Sequence, residues 1–374
     1  MISSDNIYEQ LKKYEFNRTE PETLIELVRS ALIKSENARR RIEKFRSIVS
    51  EAKQIFESRG LIRRLNIKDE EVYEYRRACT IGIDGSFQYV GGFGGIWYVP
   101  ISCAIVTFEG VSNQPSVQIA AGIEDIDENQ YPNVPIEASI RMLEVERKAI
   151  EECLLKIGKE DGDKIIFIDG PIVDPPSYHE ENYVKRRCET LLRCIEKKIL
   201  VIGCVKRPLG KPFINYITHK VLKNESEKNL VNQFISDAHL LGYLFTGSYL
   251  SNPSGILMSA PFEISNEDRF HQMYLKNGIR IFSIFTQKDP VSRPIRLDIP
   301  QRFDFSDDIY LLSERAVKAV FAWLYPGSNI PLPVALAHDK CNIRRGCAEV
   351  LYEEIITRVS SPDPFDNIMK MKMM

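Results

Sequence analysis

The sequence predicts an α/β protein in which helices flank a mixed β-sheet, with an N-terminal helical arm before it. Residues 22–59 carry apolar side chains at helical spacing, and residues 77–121 form short apolar runs separated by glycine turns. Residues 165–205 then follow the strand, helix, strand pattern of a parallel βαβ unit. We therefore expect a helical arm at 1–75 and a mixed-sheet domain at 76–374.

Composition places the chain among ordinary globular proteins. Its 374 residues include 44% hydrophobic and 27% charged side chains, and the net charge of −2 gives no sign of nucleic-acid binding. A local basic groove is compatible with that charge. There is no signal-peptide pattern and no apolar run of membrane-spanning length. We expect a cytoplasmic protein without membrane contact, whose eight cysteines are free thiols because none forms a CxxC pair.

The second half of the arm is strongly basic. From Arg39 to Arg64, the helix and the residues after it contain nine lysines and arginines but only three glutamates. A solvated helix face accounts for such a run. The functional alternative is an arm that follows a phosphate backbone, or a helix that contacts another subunit.

Two apolar strands each end in an aspartate that is followed by glycine. Asp84 comes directly after one β-branched run, and Asp169 comes directly after another. A single Asp-Gly pair is weak evidence, since this dipeptide also forms turns. Two such pairs suggest two carboxylates that meet at one edge of the sheet over a metal site.

A helix predicted from about Ile136 to Ile157 supplies a third acid. At 100° per residue, Glu146 lies in the middle of the apolar face, whereas Glu144 and Glu151 lie at its edge or outside it. A carboxylate that faces the core needs a partner, because leaving it unpaired costs roughly several kcal/mol. A metal would supply one, and an ion pair with the adjacent Arg147 is the structural alternative.

Two further motifs lie at predicted element ends. Lys206 and Arg207 follow the strand 199–205, on the same edge as Asp169, where they can hold a phosphate backbone or be an ordinary solvated strand end. His338 follows an apolar run and is predicted to open a helix ending near Val359. An imidazole at such a transition is a common metal ligand.

The four candidates Asp84, Glu146, Asp169 and His338 combine three carboxylates with one imidazole. Oxygen-rich sites with one imidazole favour Mg²⁺ or Mn²⁺ over zinc. Nucleases use such sites to activate water and to stabilise the charge that develops during phosphodiester hydrolysis. The pattern is typical of a ribonuclease H-like arrangement.

The order of these motifs resembles that of the NurA nucleases, over about residues 80–345. The matching stretches are Ile83-Asp84-Gly85-Ser86, Phe167-Ile168-Asp169-Gly170, Val205-Lys206-Arg207, Pro331-Leu332-Pro333 and Ala337-His338. The resemblance implies a ribonuclease H/PIWI-like core and a manganese-dependent DNA nuclease, both a 5′→3′ exonuclease and a single-strand endonuclease. It also implies a homodimer that acts on single- and double-stranded DNA with a HerA-type hexameric helicase, in end resection for recombinational repair.

The resemblance also assigns roles to residues. Asp84, Asp169 and His338 would be metal ligands. The family places a further glutamate on the helix before the second aspartate, and the helical-face argument selects Glu146. The family often has tyrosine at the position of Ile330, so this chain has no counterpart for a tyrosine that orients the substrate.

Two other functions fit parts of the sequence. A catalytically weakened NurA-like subunit would dock on a helicase or bind DNA, with both Asp-Gly pairs as turns and the arm as its main functional element. A nucleotide-phosphate enzyme of the actin/hexokinase type also ends strands in Asp-Gly. It would need a second glycine-rich phosphate loop, which the sequence lacks.

Overall fold

The computed structural model describes residues 21–92, 95–110, 114–156, 163–173, 180–264, 269–306, 308–325 and 327–358. The chain divides into two compact units, residues 1–59 and 60–374. The first contains helix α1 (Pro21–Ser58), where the periodicity predicts a helix. Residues 1–20 of the predicted arm lie outside the described residues.

Among the described residues of the second unit, eleven strands form one mixed sheet. They are β1 (Ile62–Leu65), β2 (Cys79–Phe87), β3 (Val90–Gly91), β4 (Ile96–Phe108), β5 (Ser116–Asp127), β6 (Lys164–Asp169), β7 (Leu200–Val205), β8 (Ile256–Ser259), β9 (Phe262–Glu263), β10 (Ile279–Gln287) and β11 (Ile295–Arg302). Their order is β1-β8-β10-β11-β7-β6-β2-β4-β3, with β5 beside β4 and β9 beside β10. Strand β1 falls within the range 1–75 of the predicted arm, yet it pairs with β8 in the sheet.

The helices of this unit lie between the strands and after them. They are α2 (Asp69–Arg77), α3 (Val134–Lys156), α4 (Glu181–Glu196), α5 (Pro212–Tyr216), α6 (Glu225–Asn232), α7 (Asp237–Ser251), α8 (Arg269–Lys276), α9 (Ile309–Ala322), α10 (Leu332–Cys341) and α11 (Arg345–Arg358), with a π-helical turn at Ile217–Val221. No helix in the described part of the chain has both the length and the apolar character needed to cross a bilayer.

The central strand β6 is buried on both faces. Ile165 and Phe167 pack in a core with residues of α9 and α10, whereas Ile166 and Ile168 pack in a second core with residues of α3 and α4. β6 runs parallel to both β2 and β7, and the other pairings are antiparallel. Burial of both faces explains why this strand is a continuous apolar run. The predicted fold class, a mixed sheet flanked by helices, is confirmed.

A buried carboxylate joins the starts of α5 and α7. The carboxylate of Asp237 accepts hydrogen bonds from the backbone N–H of Phe213, at 2.8 Å, and of Ile214, at 2.9 Å. Burial raises the pKa of Asp237 to about 6, although both hydrogen bonds oppose the shift. The side chain therefore satisfies two N–H groups at the first turn of α5 at some electrostatic cost.

Candidate metal site

The two predicted aspartates lie side by side on adjacent strands of the sheet. Asp169 ends β6 as predicted, whereas the prediction that Asp84 ends its strand is wrong, because β2 continues to Phe87 through its pairing with β4. In the parallel register of β2 and β6, Ile83 is paired with Ile168, so Asp84 and Asp169 are the next residues of the two strands. Because side chains alternate along a strand, Asp169 shares the face of Phe167, which packs in the core containing α10. Both carboxylates are largely buried.

Helix α10 supplies the third side chain. It begins at Leu332, with Pro333 in its first turn, where the missing N–H of proline costs nothing. His338 lies in the last turn of this helix. The prediction that His338 opens a helix ending near Val359 is wrong: α10 begins six residues earlier, and extended backbone at Asn342 ends it before α11 starts at Arg345.

Gly82 allows α10 to lie directly on β2. A Cβ atom at this position would be 2.2 Å from the carbonyl carbon of Pro333 and 2.6 Å from the backbone nitrogen of Val334. Only a residue without a side chain fits this contact. Two residues further along β2, Asp84 therefore faces His338 across the same close packing.

The three side chains form one compact cluster. His338 Nδ1 lies 2.7 Å from Asp84 Oδ2 and 3.6 Å from Asp169 Oδ2. One possible ligand atom from each residue lies within 4.8 Å of the others. Burial and the neighbouring Asp169 carboxylate raise the pKa of Asp84, against the opposing hydrogen bonds of His338 and Cys341. Two acids held this close favour a shared cation.

The backbone after Asp169 requires its glycine. Gly170 has φ of +104°, a conformation that side chains disfavour, and its N–H donates to the carbonyl of Cys204 at 3.1 Å. On the neighbouring strand, a Cβ at Gly203 would meet the Gly170 carbonyl oxygen at 2.8 Å. The two glycines thus let the chain turn sharply and fix Asp169 at the strand end.

The two basic residues after β7, Lys206 and Arg207, lie in different surroundings. Lys206 Nζ lies 2.6 Å from Asp169 Oδ2, so this ammonium group is part of the cluster itself. Arg207 is exposed. The pairing of Asp169 with Cys204 in the parallel register explains why the end of β7 lies beside the two aspartates.

Glu146 approaches from the other face of the sheet. It is buried on α3, and its Oε1 lies 2.7 Å from where a Cβ of Gly85 would be. Gly85 directly follows Asp84, and the absence of a side chain at this glycine makes room for the glutamate. Glu146 is not among the ligand atoms that cluster within 4.8 Å, which come from Asp84, Asp169 and His338.

The other two glutamates of α3 engage Arg147. Glu144 Oε1 lies 2.7 Å from Arg147 Nη2, and Glu151 Oε2 lies 2.8 Å from Arg147 Nη1. Arg147, which the sequence offers as a partner of Glu146, thus has two carboxylate partners on the side of α3 that faces α4. Glu146, in contrast, lies against strand β2 at Gly85.

One contact of the site was not predicted. The Cys341 thiol donates to Asp84 Oδ2 at 3.4 Å, three residues after His338 on the same side of α10. Burial and the Asp84 carboxylate raise the pKa of Cys341, so the group remains a donor. The signal in the sequence was the three-residue spacing from His338, which becomes informative only once both are placed on one helix.

The donor set suits a hard divalent cation. Two carboxylates from adjacent strands and one imidazole from a packed helix are the ligand types that Mg²⁺ and Mn²⁺ accept. Within the described residues, Asp84, Asp169 and His338 are the cluster of three or more metal-ligating side chains. Lys206 and His338 now contact the two carboxylates that a cation would bind.

Comparison with known proteins agrees with this architecture. The crystal structure of the NurA nuclease from Sulfolobus solfataricus matches with a TM-score of 0.56 and 14% identity, over 88% of this chain and 97% of that chain. The catalytic domain of human Endonuclease V matches with a TM-score of 0.30 and 10% identity, over 84% and 98%. No curated protein matches the chain.

The first of these likenesses confirms the predicted ribonuclease H-like fold class. Family membership comes from a separate match. The model of the NurA domain matches residues 79–343, which is more than two thirds of the chain and includes Asp84, Asp169 and His338. The chain belongs to the NurA domain family.

Proposed function

We propose that this protein is a metal-dependent DNA nuclease. The observation that carries the proposal is the cluster of Asp84, Asp169 and His338 on a NurA fold, where β6 ends beside its parallel neighbour β2. These three residues, with Glu146 from the opposite face, would hold one or two Mn²⁺ or Mg²⁺ ions. A divalent cation at this position supplies a Lewis acid for phosphodiester hydrolysis.

The protein groups around the cluster have distinct tasks in this proposal. Asp84 and Asp169 hold their carboxylates in fixed positions because they extend from paired strands. Lys206, whose ammonium group lies 2.6 Å from Asp169, binds a phosphate oxygen at the site, and Arg207 binds the neighbouring backbone. Such phosphate contacts position DNA with little sequence preference. Cys341 and His338 keep the Asp84 carboxylate oriented.

The proposed setting is DNA end resection in the cytoplasm. Membership of the NurA family supports action as a 5′→3′ exonuclease and a single-strand endonuclease, on single- and double-stranded DNA. It also supports a homodimer that works with a HerA-type helicase in recombinational repair. A preference for Mn²⁺ is part of the same proposal.

A nuclease assay tests the activity. End-labelled single- and double-stranded DNA is incubated with the purified protein and Mn²⁺, or with EDTA. We expect degradation only with the metal, and a loss of at least about 100-fold in Asp84→Ala, because a buried metal ligand is removed. Asp304→Ala is the matched control, since this exposed aspartate follows β11, which starts beside β7 and runs away from the site.

Calorimetry with Mn²⁺ separates this nuclease from a catalytically weakened subunit. Binding that is lost in Asp169→Ala, together with cleavage, supports the nuclease. Metal binding without cleavage would identify a weakened subunit, and Ile330 would then be the first residue to replace by tyrosine. Cleavage in EDTA at the rate seen with Mn²⁺ would contradict both.

A further inference from the structure

Asp169 has less support from the sheet than the other aspartate of the cluster. Strand β6 ends at Asp169, whereas Asp84 lies inside β2, which continues to Phe87. Residues 170–173 then leave the sheet. The position of the Asp169 carboxylate therefore depends on the contacts that hold the segment directly after it.

This segment crosses β7 at a glycine. A Cβ atom at Gly203 would lie 2.8 Å from the carbonyl oxygen of Gly170 and 3.1 Å from the backbone nitrogen of Ile172. In the antiparallel register, Gly203 is paired with Asp298 of β11, so the side chain of Asp298 points to the same face of the sheet. The segment therefore passes over β7 directly beside Asp298.

Three buried side chains from different elements bind the backbone of Ile172. Its N–H donates to Asp298 Oδ2 at 3.4 Å. Its carbonyl oxygen accepts from Arg187 Nε on α4, at 3.2 Å, and from the hydroxyl of Tyr274 on α8, also at 3.2 Å. Arg187 is 1% exposed, and Tyr274 and Asp298 are fully buried. We call these three side chains the Ile172 anchor.

Other buried groups fix Asp298 within the anchor. Its Oδ1 accepts from the hydroxyl of Ser283 at 2.7 Å and from Arg296 Nε at 2.9 Å. Burying charged and polar groups is costly unless they are paired. Once they are paired, such a network holds one geometry, because any displacement breaks hydrogen bonds in a medium of low dielectric constant. The anchor therefore holds Ile172 more rigidly than apolar packing alone would.

We propose that Arg187, Tyr274 and Asp298 are positioning residues for the metal ligand Asp169. By holding Ile172, they fix the segment that begins directly after Asp169 and so fix the direction of its carboxylate. They act through the backbone, and the cluster of ligand atoms in the described part of the chain does not include them. The inference rests on the proposed function, because it concerns the metal-binding role of Asp169.

Removal of one hydroxyl group tests the anchor. Tyr274→Phe deletes a hydrogen bond to Ile172 and keeps the aromatic ring. We expect this variant to raise the Kd for Mn²⁺ about 10-fold, because groups that orient a metal ligand affect metal affinity on this scale. The Kd is measured on the full chain without DNA, from the electron paramagnetic resonance signal of free Mn²⁺, which falls as the ion binds.

Tyr249→Phe on α7 is the matched control. Tyr249 is 2% exposed, and its hydroxyl donates to the carbonyl of Gln287 and accepts from the N–H of Leu257 at 3.1 Å. This variant therefore loses at least as many hydrogen bonds of a buried tyrosine as Tyr274→Phe does. We expect it to lower the Tm of the metal-free protein at least as much, and to leave the Kd for Mn²⁺ within about twofold of the wild type.

The outcomes separate this inference from the proposed function. If the wild type binds Mn²⁺ and Tyr274→Phe binds it with the same Kd, the inference is overturned and the proposed metal site stands. If the two variants lose affinity equally, the cause is a general loss of stability and the inference is again overturned. If the wild type binds no Mn²⁺, the proposed metal site is wrong and the inference fails with it.

Discussion

At the scale of single residues, the site depends on two glycines, whose lack of a side chain lets other groups come close to β2. Gly82 lets α10 lie on one face of β2, and Gly85 leaves space for the Glu146 carboxylate on the other. Asp84 lies between these two glycines, so strand β2 carries one acid and allows two helices to come close to it. Asp-Gly in the sequence indicated the acid, whereas the role of Gly82 required the position of Pro333.

The glutamate of α3 can be identified by substitutions that remove the charge and keep the shape of the side chain. We expect Glu146→Gln to reduce the rate of Mn²⁺-dependent DNA cleavage about 100-fold, since it removes a negative charge beside the metal ligands. Glu151→Gln should remain within about threefold of the wild type, because its carboxylate pairs with Arg147. Steady-state cleavage rates at saturating Mn²⁺ measure the difference. The reverse order of effects would assign the role to Glu151.

At the scale of elements, the close contact between β2 and α10 determines where His338 lies. The sequence grouped His338 with Asp84 and Asp169, as the structure does, but predicted it at the start of a helix, whereas it lies in the last turn of one. In the sequence, Pro331-Leu332-Pro333 was used only as a motif of the resemblance. In the structure, these three residues form the start of α10. The apolar run Val334 to Ala337 was assigned to the segment before the helix, because periodicity cannot distinguish a short buried helix from a buried strand.

A single methyl group tests this packing. Gly82→Ala should lower the free energy of unfolding by about 3 kcal/mol, because the new Cβ would meet backbone atoms of Pro333 and Val334 that cannot easily move. Gly122→Ala in β5 is the control, since nothing lies within 4 Å of its Cβ position, and it should change stability by less than about 0.5 kcal/mol. Urea denaturation followed by circular dichroism gives both values. Equal stabilities would show that α10 does not pack as described.

The buried Asp237 predicts a pH dependence of stability. Its pKa in the folded protein, about 6, lies above the ordinary 3.8, so the folded state binds the proton more tightly than the unfolded chain. The stabilising effect of protonation is complete below pH about 4 and disappears as the pH rises through about 6. Relative to Asp237→Asn, the wild type should gain about 1.3 kcal/mol between pH 7 and pH 5. Parallel stability curves for the two proteins would contradict the shift.

At the scale of the whole molecule, the sequence predicted the central strands of the sheet but not all of its strands. The two apolar strands with Asp84 and Asp169 were identified because strands buried on both faces leave a continuous apolar run. Strand β1 was missed because Ile62–Leu65 has two arginines in four residues and its half-buried pattern does not alternate clearly. Its assignment depends on pairing with β8, almost two hundred residues later, which no local pattern reveals.

Metal binding should stabilise the entire second unit. Ligands from β2, β6 and α10 would be joined by one cation, so Mn²⁺ should raise the Tm, with a gain of about 2.7 kcal/mol at one hundred times the Kd. Differential scanning calorimetry of the wild type with Mn²⁺ and with EDTA measures this gain. Asp169→Ala should show no difference between the two conditions. An equal rise in both proteins would place the metal elsewhere.

The separation of Asp84 and His338 by 254 residues has a consequence for how the protein is made. The two aspartates leave the ribosome long before the histidine: 338 − 169 = 169 residues separate Asp169 from His338. At 5–20 residues per second, that interval is roughly 8–34 s. Throughout this time the nascent chain has the two aspartates but neither the imidazole nor the helix that packs on Gly82. A chain interrupted before α10 therefore lacks a complete site, and under the proposed function its unfinished copies would not cleave DNA.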